Sequence, residues 1–281
     1  MTKTATDEAN EYILGTDTGE LERLRFQHQV WVEQGYALWT RGGLRAGDIV
    51  LDLGCGPGFT SLELANLVGG TRVGRTGRVI ARDQSPRFLE FLRAECARLG
   101  RSEVEPSLGA VEELELAEGS LDAAYSRWLF CWLADPAAVL ERVARALRRG
   151  GALFLHEYLD WGAMSLVPRA PAFARAVEAC LASWKQGGVE IDFAARVPEL
   201  AARAGLEIEL FQPLARLGRV GSLEWRWIGS FFASYLPRVV ERGLLRSDEL
   251  AAWAREWERC AQEDASFIAT PTMAAVILRK R

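Results

Sequence analysis

Apolar positions along this chain alternate between two spacings. Residues 50–58, Val-Leu-Asp-Leu-Gly-Cys-Gly-Pro-Gly, begin as a short continuous apolar run, the pattern of a strand buried on both faces, and end in three glycines at alternate positions. Helical spacing follows over 60–68. A second apolar run at 78–81 ends on Asp83, and Ser85-Pro86 opens a helical pattern that reaches residue 99. Strand-like runs at 121–126 and 152–158 flank a helix over 137–147, where Val139, Leu140, Val143 and Leu147 recur at three- and four-residue spacing. Arg149-Gly150-Gly151 is expected to close that helix as a glycine cap. Helices at 172–184 and 197–204 then lead to a strand at 206–211, and 274–279 supplies the last strand. Between those two strands lies an insertion, 220–270, with helical patterns at 223–235, 236–243 and 247–260. Strands alternating with helices predict a doubly wound α/β sheet. The glycine-rich stretch 69–77 reads as a solvated loop.

The glycines at 54, 56 and 58 remove every Cβ where backbone and a ligand must meet, and glycine can also take the positive φ of a tight strand-to-helix turn. Dinucleotide-binding folds place their third glycine after two intervening residues, and here that position is Phe59. The pyrophosphate reading weakens accordingly. Asp52, at the end of the first strand, would repel a phosphate but suits a ligand carrying an ammonium group, as S-adenosylmethionine does. Asp83, at the tip of the second strand, stands where a doubly wound sheet grips ribose hydroxyls, and the same residue can cap the helix over 85–99.

On these motifs the chain resembles the class I S-adenosylmethionine-dependent methyltransferases, in their small-molecule branch, over residues 15–161. Val50 to Gly58 is similar to the family's first motif and Val79 to Asp83 to its second. Ser120-Leu121-Asp122 to Arg127 resembles the strand before the active site, and Leu147-Arg148-Arg149-Gly150-Gly151 the family's Leu-Lys-Pro-Gly-Gly turn. Gly15-Thr16-Asp17, Glu20-Leu21-Glu22-Arg23-Leu24 and Gln27 are similar to a helix that lies over the cofactor in relatives. The resemblance implies a Rossmann-like doubly wound seven-stranded sheet with an antiparallel last strand. It also implies S-adenosyl-L-methionine held by Gln27, Asp52, Gly54, Gly56, Gly58, Phe59, Asp83, Gln84, Val111, Glu112 and Arg127. Relatives often read Gly-Asp-Ala where this chain has Gly109-Ala110-Val111, so adenine must be met by backbone, by Glu112 or not at all.

Composition narrows the partners. With 34 basic against 38 acidic side chains and a pI near 5.5, the chain lacks the basic face of a nucleic-acid binder. No run of ~20 apolar residues could span a membrane. The N-terminal Met-Thr-Lys-Thr-Ala-Thr-Asp-Glu has no apolar signal region, so a cytoplasmic location is expected. Five cysteines form no Cys-x-x-Cys pair and only two histidines exist, which argues against a zinc site and any other metal. Cys55 reads as a small packing residue of the glycine loop.

Ten tryptophans are many for 281 residues, and several fall where a pocket should be. Trp31 is on the N-terminal helix, Trp128 and Trp161 follow core strands, and Trp227 and Phe231 belong to the insertion. With Tyr158 they are the candidate substrate pocket, a dry aromatic-lined cavity suited to a flat or hydrophobic acceptor. His156, at the end of a core strand, is the candidate general base, its unperturbed pKa near 6.5 suiting proton removal at neutral pH. His28, beside Gln27, is the second candidate.

The sequence therefore reads as an N-terminal helical cover (1–45), a cofactor-binding core (46–219) completed by a closing strand (271–281), and a helical lid insertion (220–270). The expected activity is methyl transfer to a small hydrophobic or aromatic acceptor of secondary metabolism, with no nucleic-acid or membrane partner and compatibility with a homo-oligomer. A non-catalytic cofactor-binding module and a nicotinamide-dependent oxidoreductase are the alternatives.

Overall fold

A computed structural model describes residues 18–281. The Gly15-Thr16-Asp17 string lies outside the described residues. Seven strands form the central sheet: β1 (Ile49–Leu53), β2 (Arg78–Asp83), β3 (Val104–Leu108), β4 (Leu121–Arg127), β5 (Leu147–Asp160), β6 (Leu206–Leu214) and β7 (Thr272–Lys280). Their order is 3-2-1-4-5-7-6, parallel from β3 to β5, with β7 antiparallel to both neighbours. Val50, Leu51 and Leu53 are wholly buried, as expected of a central parallel strand covered on both faces. Chain order reverses between β1 and β4, so the crevice for a ligand opens at their carboxyl ends.

Among the described residues eight α-helices flank the sheet: α1 (Thr18–Arg41), α2 (Phe59–Val68), α3 (Pro86–Leu99), α4 (Pro136–Ala146), α5 (Pro171–Gln186), α6 (Val197–Arg203), α7 (Leu223–Glu241) and α8 (Ser247–Ala261). Local chemistry starts several of them. Ser85 caps α3 by accepting from the Phe88 amide at 3.3 Å, and Asp135 caps α4 through Ala138 at 3.0 Å, each followed by proline. α1 packs on α7, while α5 packs on α7 and α8, forming a helical layer over the carboxyl ends of the strands.

Four local expectations are corrected. No glycine caps α4, because the chain enters β5 at Leu147, and the register jumps from Leu121↔Leu147 to Ala123↔Ala152 to absorb Gly150 and Gly151. β5 continues to Asp160, two residues past the expected end. The two helices expected at 223–235 and 236–243 are a single α7 running through Pro237. An apolar stripe of Trp225, Ile228, Phe232, Tyr235 and Val239 packs along its whole length and outweighs proline's cost of ~3 kcal/mol. Residues 69–77 form a small exposed hairpin, Thr71–Arg72 with Arg75–Thr76, whose Arg75 pairs with Asp122. A separate three-stranded sheet of Ser165–Val167, Leu217–Arg219 and Phe267–Ala269, unforeseen from the sequence, ties the insertion to the core.

Candidate active site

A cavity of about 570 Å³ opens at the carboxyl ends of β1, β2 and β4. At its inner end the lining is backbone and short polar side chains. Gly56 has φ +55, and a Cβ built on it meets nothing within 4 Å, so this turn leaves a hollow where a ligand can touch the backbone. The same construction on Gly58 would strike the Leu92 side chain at 2.3 Å. Gly58 therefore lets α2 and α3 close together and does not line the cavity, a correction to its expected ligand contact.

Asp83 accepts from the Gly56 and Ser85 amides, both at 2.8 Å, and also lines the cavity. Burial pushes its pKa up, and those backbone N–H groups pull it back down. Asp52 accepts from the Ser61 hydroxyl at 2.6 Å, and burial raises its pKa to about 7. A carboxyl so placed gains from a cation brought beside it. Arg82 braces the next loop by donating to the carbonyls of Leu108 at 2.8 Å and Ala110 at 3.1 Å. Gly109 is needed there, since a Cβ would lie 2.2 Å from that guanidinium. Ala110, Val111 and Glu112 follow along the wall.

Arg127 is the cavity's only lysine or arginine among the described residues, with its guanidinium 5.1 Å from the centre of the Trp128 ring. Gln27, from α1, accepts from Arg23 at 2.7 Å and from the Trp227 indole at 3.4 Å. Its carbonyl oxygen is thus engaged, and its amide nitrogen is the group left to meet a ligand.

The outer end is built of rings. Trp128, Trp132, Trp184, Phe231 and Tyr235 line it together with Leu129, Leu133 and Val189. Tyr158, Trp161 and Trp227, expected in the same pocket, instead line an adjoining cavity of about 80 Å³ that shares Trp128 and Phe231 with the first. Trp31 lines neither. Its ring packs edge-on against Trp128 at 6.1 Å and Trp227 at 5.7 Å, which makes it core behind the wall, a correction to its place in the substrate pocket.

A methyltransferase-domain family model matches residues 51–155. A ubiquinone biosynthesis O-methyltransferase from Xanthomonas axonopodis pv. citri is 30% identical over 190 residues, 63% of this chain and 72% of that protein. The chain belongs to the class I S-adenosylmethionine-dependent methyltransferases. An uncharacterized 37.1 kDa transposon protein of Streptomyces fradiae is 38% identical over 43% of this chain and 33% of its own length. Of several curated relatives, then, the chain spans only a third to about two fifths. The fold is shared by geranyl diphosphate C-methyltransferase from Streptomyces coelicolor A3(2), with a TM-score of 0.57 and 13% identity over 90% of this chain and 80% of that one.

The family's cofactor is S-adenosylmethionine, and the residues present fit it. Asp83 offers lone pairs to a ribose, Asp52 and Arg127 offer unlike charges to a zwitterionic amino-acid end, and the hollow at Gly56 admits close backbone contact. Of the cofactor contacts expected of a methyltransferase, Gln27, Asp52, Gly54, Gly56, Phe59, Asp83, Gln84, Val111, Glu112 and Arg127 all line the cavity.

Neither histidine does, which corrects both candidates for a base acting directly on an acceptor. His156 is wholly buried, paired in register with Arg127 and Ala275 inside the sheet because β5 continues beyond it. Burial, with the nearby Arg127 charge, lowers its pKa to about 3. Its Nδ1 lies 3.1 Å from the Tyr125 hydroxyl, and Tyr125 does line the cavity. His28 sits behind Phe59 with its Nε2 3.7 Å from Glu63, and burial lowers its pKa as well. Sequence reasoning missed Tyr125, Trp132 and Trp184, while Tyr235 belongs to the insertion expected to roof the pocket. Only Tyr125 carried a signal, as the residue two before Arg127 on one face of β4.

Among the described residues no group of three His, Cys, Asp or Glu side chains is placed to hold a metal ion, and no helix is long and apolar enough to cross a membrane.

Proposed function

We propose that this chain transfers the methyl group of S-adenosylmethionine to a small hydrophobic or aromatic acceptor in secondary metabolism, acting in the cytoplasm without a nucleic-acid or membrane partner. The observation that carries this reading is the continuity of one cavity from Asp52, Gly56 and Asp83 to the rings of Trp128, Trp184 and Phe231. Its size falls in the range usual for small-molecule sites. The Xanthomonas relative is by name an O-methyltransferase of ubiquinone biosynthesis, which supports an acceptor of small-molecule type.

When bound, the cofactor supplies an electrophilic methyl group whose carbon–sulfur bond electrons stay on sulfur as an acceptor lone pair takes the carbon. Asp83 fixes the ribose, Asp52 and Arg127 fix the amino-acid end, and the aromatic walls hold the acceptor in line and keep water out. Orientation of this kind can remove ~7–11 kcal/mol of barrier. Positioning is therefore assigned the main share of the rate, and no proton transfer is assigned to His156 or His28.

A thermal-shift comparison tests this reading. S-adenosylhomocysteine at saturating concentration is expected to raise the melting temperature, since only a ligand of the native state stabilises it by mass action, while NAD and NADP leave it unchanged. Stabilisation by a nicotinamide nucleotide and none by S-adenosylhomocysteine would overturn it.

A further inference from the structure

The smaller cavity, about 80 Å³, shares Gln27, Trp128, Trp132, Trp184 and Phe231 with the cofactor cavity, so the two adjoin across these residues. Met164, Ile191, Trp227 and Ile228 give it apolar walls. Arg23 also reaches it, but its guanidinium is held by Glu20 at 2.6 and 2.7 Å and by Gln27 at 2.7 Å. Its charge is already answered within α1.

An unusual backbone sets the divider. Trp128 has φ +53, and the other non-glycine residue with positive φ among those described is Val73, at the exposed tip of the hairpin. Val73 is a turn residue in solvent. Trp128 is 9% exposed and stands directly after β4 at the cavity wall. A bulky residue in the left-handed region is strained and persists only where its surroundings over-determine it.

Here they do. The Trp128 amide donates to the His156 carbonyl at 3.0 Å, and the next two amides, of Leu129 and Phe130, donate to one oxygen of the buried Glu157 carboxyl at 3.2 Å each. The indole N–H points at Met273 Sδ, 2.7 Å away. The ring itself stacks on Tyr158 at 5.4 Å and on Trp227 at 5.8 Å. A left-handed residue thus delivers the indole to the boundary between the chambers, and these hydrogen bonds and ring stacks keep it there.

We propose that Trp128 is the specificity-determining divider of a two-part acceptor site, in which the methyl-accepting end of an apolar molecule lies in the large cavity and an uncharged ring or branched alkyl group extends past Trp128 into the small one. This deepens the methyl-transfer reading above and rests on it. The acceptor class it names is an extended apolar compound with two segments, longer than a single substituted ring.

The experiment compares phenol with 4-phenylphenol, titrated calorimetrically into the full chain saturated with S-adenosylhomocysteine. The second ring is expected to tighten binding at least tenfold. Ile228→Phe fills the small chamber from a position that does not line the large one, and should cut that gain to below threefold while leaving phenol and S-adenosylhomocysteine affinities unchanged. Met164→Phe provides a second filling variant should Ile228→Phe fail to fold, with a melting curve as the check on both. A gain that persists in a folded filled variant, or no gain in the wild type, would overturn the two-part site. Failure of S-adenosylhomocysteine to bind the wild type would instead overturn the methyl-transfer reading beneath it.

Discussion

The two ends of the cavity are made of different materials. The cofactor end is assembled from backbone and from carboxylates at the tips of adjacent strands, so the pairing of β1 with β2 and the bond from the Gly56 amide to Asp83 bring Asp52, Gly56 and Asp83 together. The outer end is assembled from rings that follow β4 or are carried by α5 and α7, elements far apart in the chain that meet only through tertiary packing. A site held by register depends on a few groups, each with one task. A site held by packing spreads its load, and most single rings can be lost at modest cost to the other end.

The largest effect is expected at Gly56. A valine there places a branched side chain in the hollow and demands a φ near +55 that β-branched residues avoid, so S-adenosylhomocysteine affinity should fall on the order of 10²-fold or more in a protein that still folds. Calorimetry on the folded variant measures this, and unchanged affinity would move the ligand elsewhere.

Asp83→Ala should cost ~1–3 kcal/mol of cofactor binding through lost charge-assisted bonds. It should also lower the melting temperature, because the same carboxylate holds the Gly56 and Ser85 amides. Equal affinity in wild type and variant would remove Asp83 from the ribose site.

Asp52 gives a pH signature. With its pKa raised to about 7 in the free protein, the carboxyl carries a proton below that pH, whereas the ammonium of S-adenosylhomocysteine favours the ionised form. Binding must then release the proton, so affinity should weaken as pH falls from 8 to 6, approaching tenfold per unit below 7. Titrations at pH 6, 7 and 8 should show this slope in the wild type and a flat line in Asp52→Asn. A flat wild type would contradict the pairing.

Phe231→Ala should give the smallest change at the cofactor end. It lines both chambers, yet S-adenosylhomocysteine affinity is expected to stay within about twofold while the melting temperature drops through lost ring packing. A large loss of cofactor affinity would mean that the two ends are not separable.

The same division decides how much of the molecule was legible in its sequence. Local signals carried the cofactor end: the alternate glycines, an acid at the end of each strand, and a Ser-Pro start for α3. Gly58 was misassigned because a packing glycine and a ligand glycine look alike in one sequence, and only the contact with Leu92 separates them. His156 was placed at a strand end that the strand overruns, a boundary error of two residues that moves an imidazole from cavity to core. The outer end was legible as aromatic but not as a geometry. Trp184 and Tyr235 stand at the ends of helices expected from spacing, yet nothing local says that α5 and α7 turn those rings toward the end of β4, and Trp31 looked no different from the residues that do line a chamber. The positive φ of Trp128 left no trace at all, since tryptophan is not a residue that announces a left-handed turn.

A crystal structure of the S-adenosylhomocysteine complex tests the central claim most directly. The ribose hydroxyls are expected within hydrogen-bond distance of Asp83, the amino-acid end between Asp52 and Arg127, and the sulfur facing the chamber of Trp128 and Phe231. A ligand bound outside this cavity, or a sulfur turned away from the aromatic chamber, would contradict it.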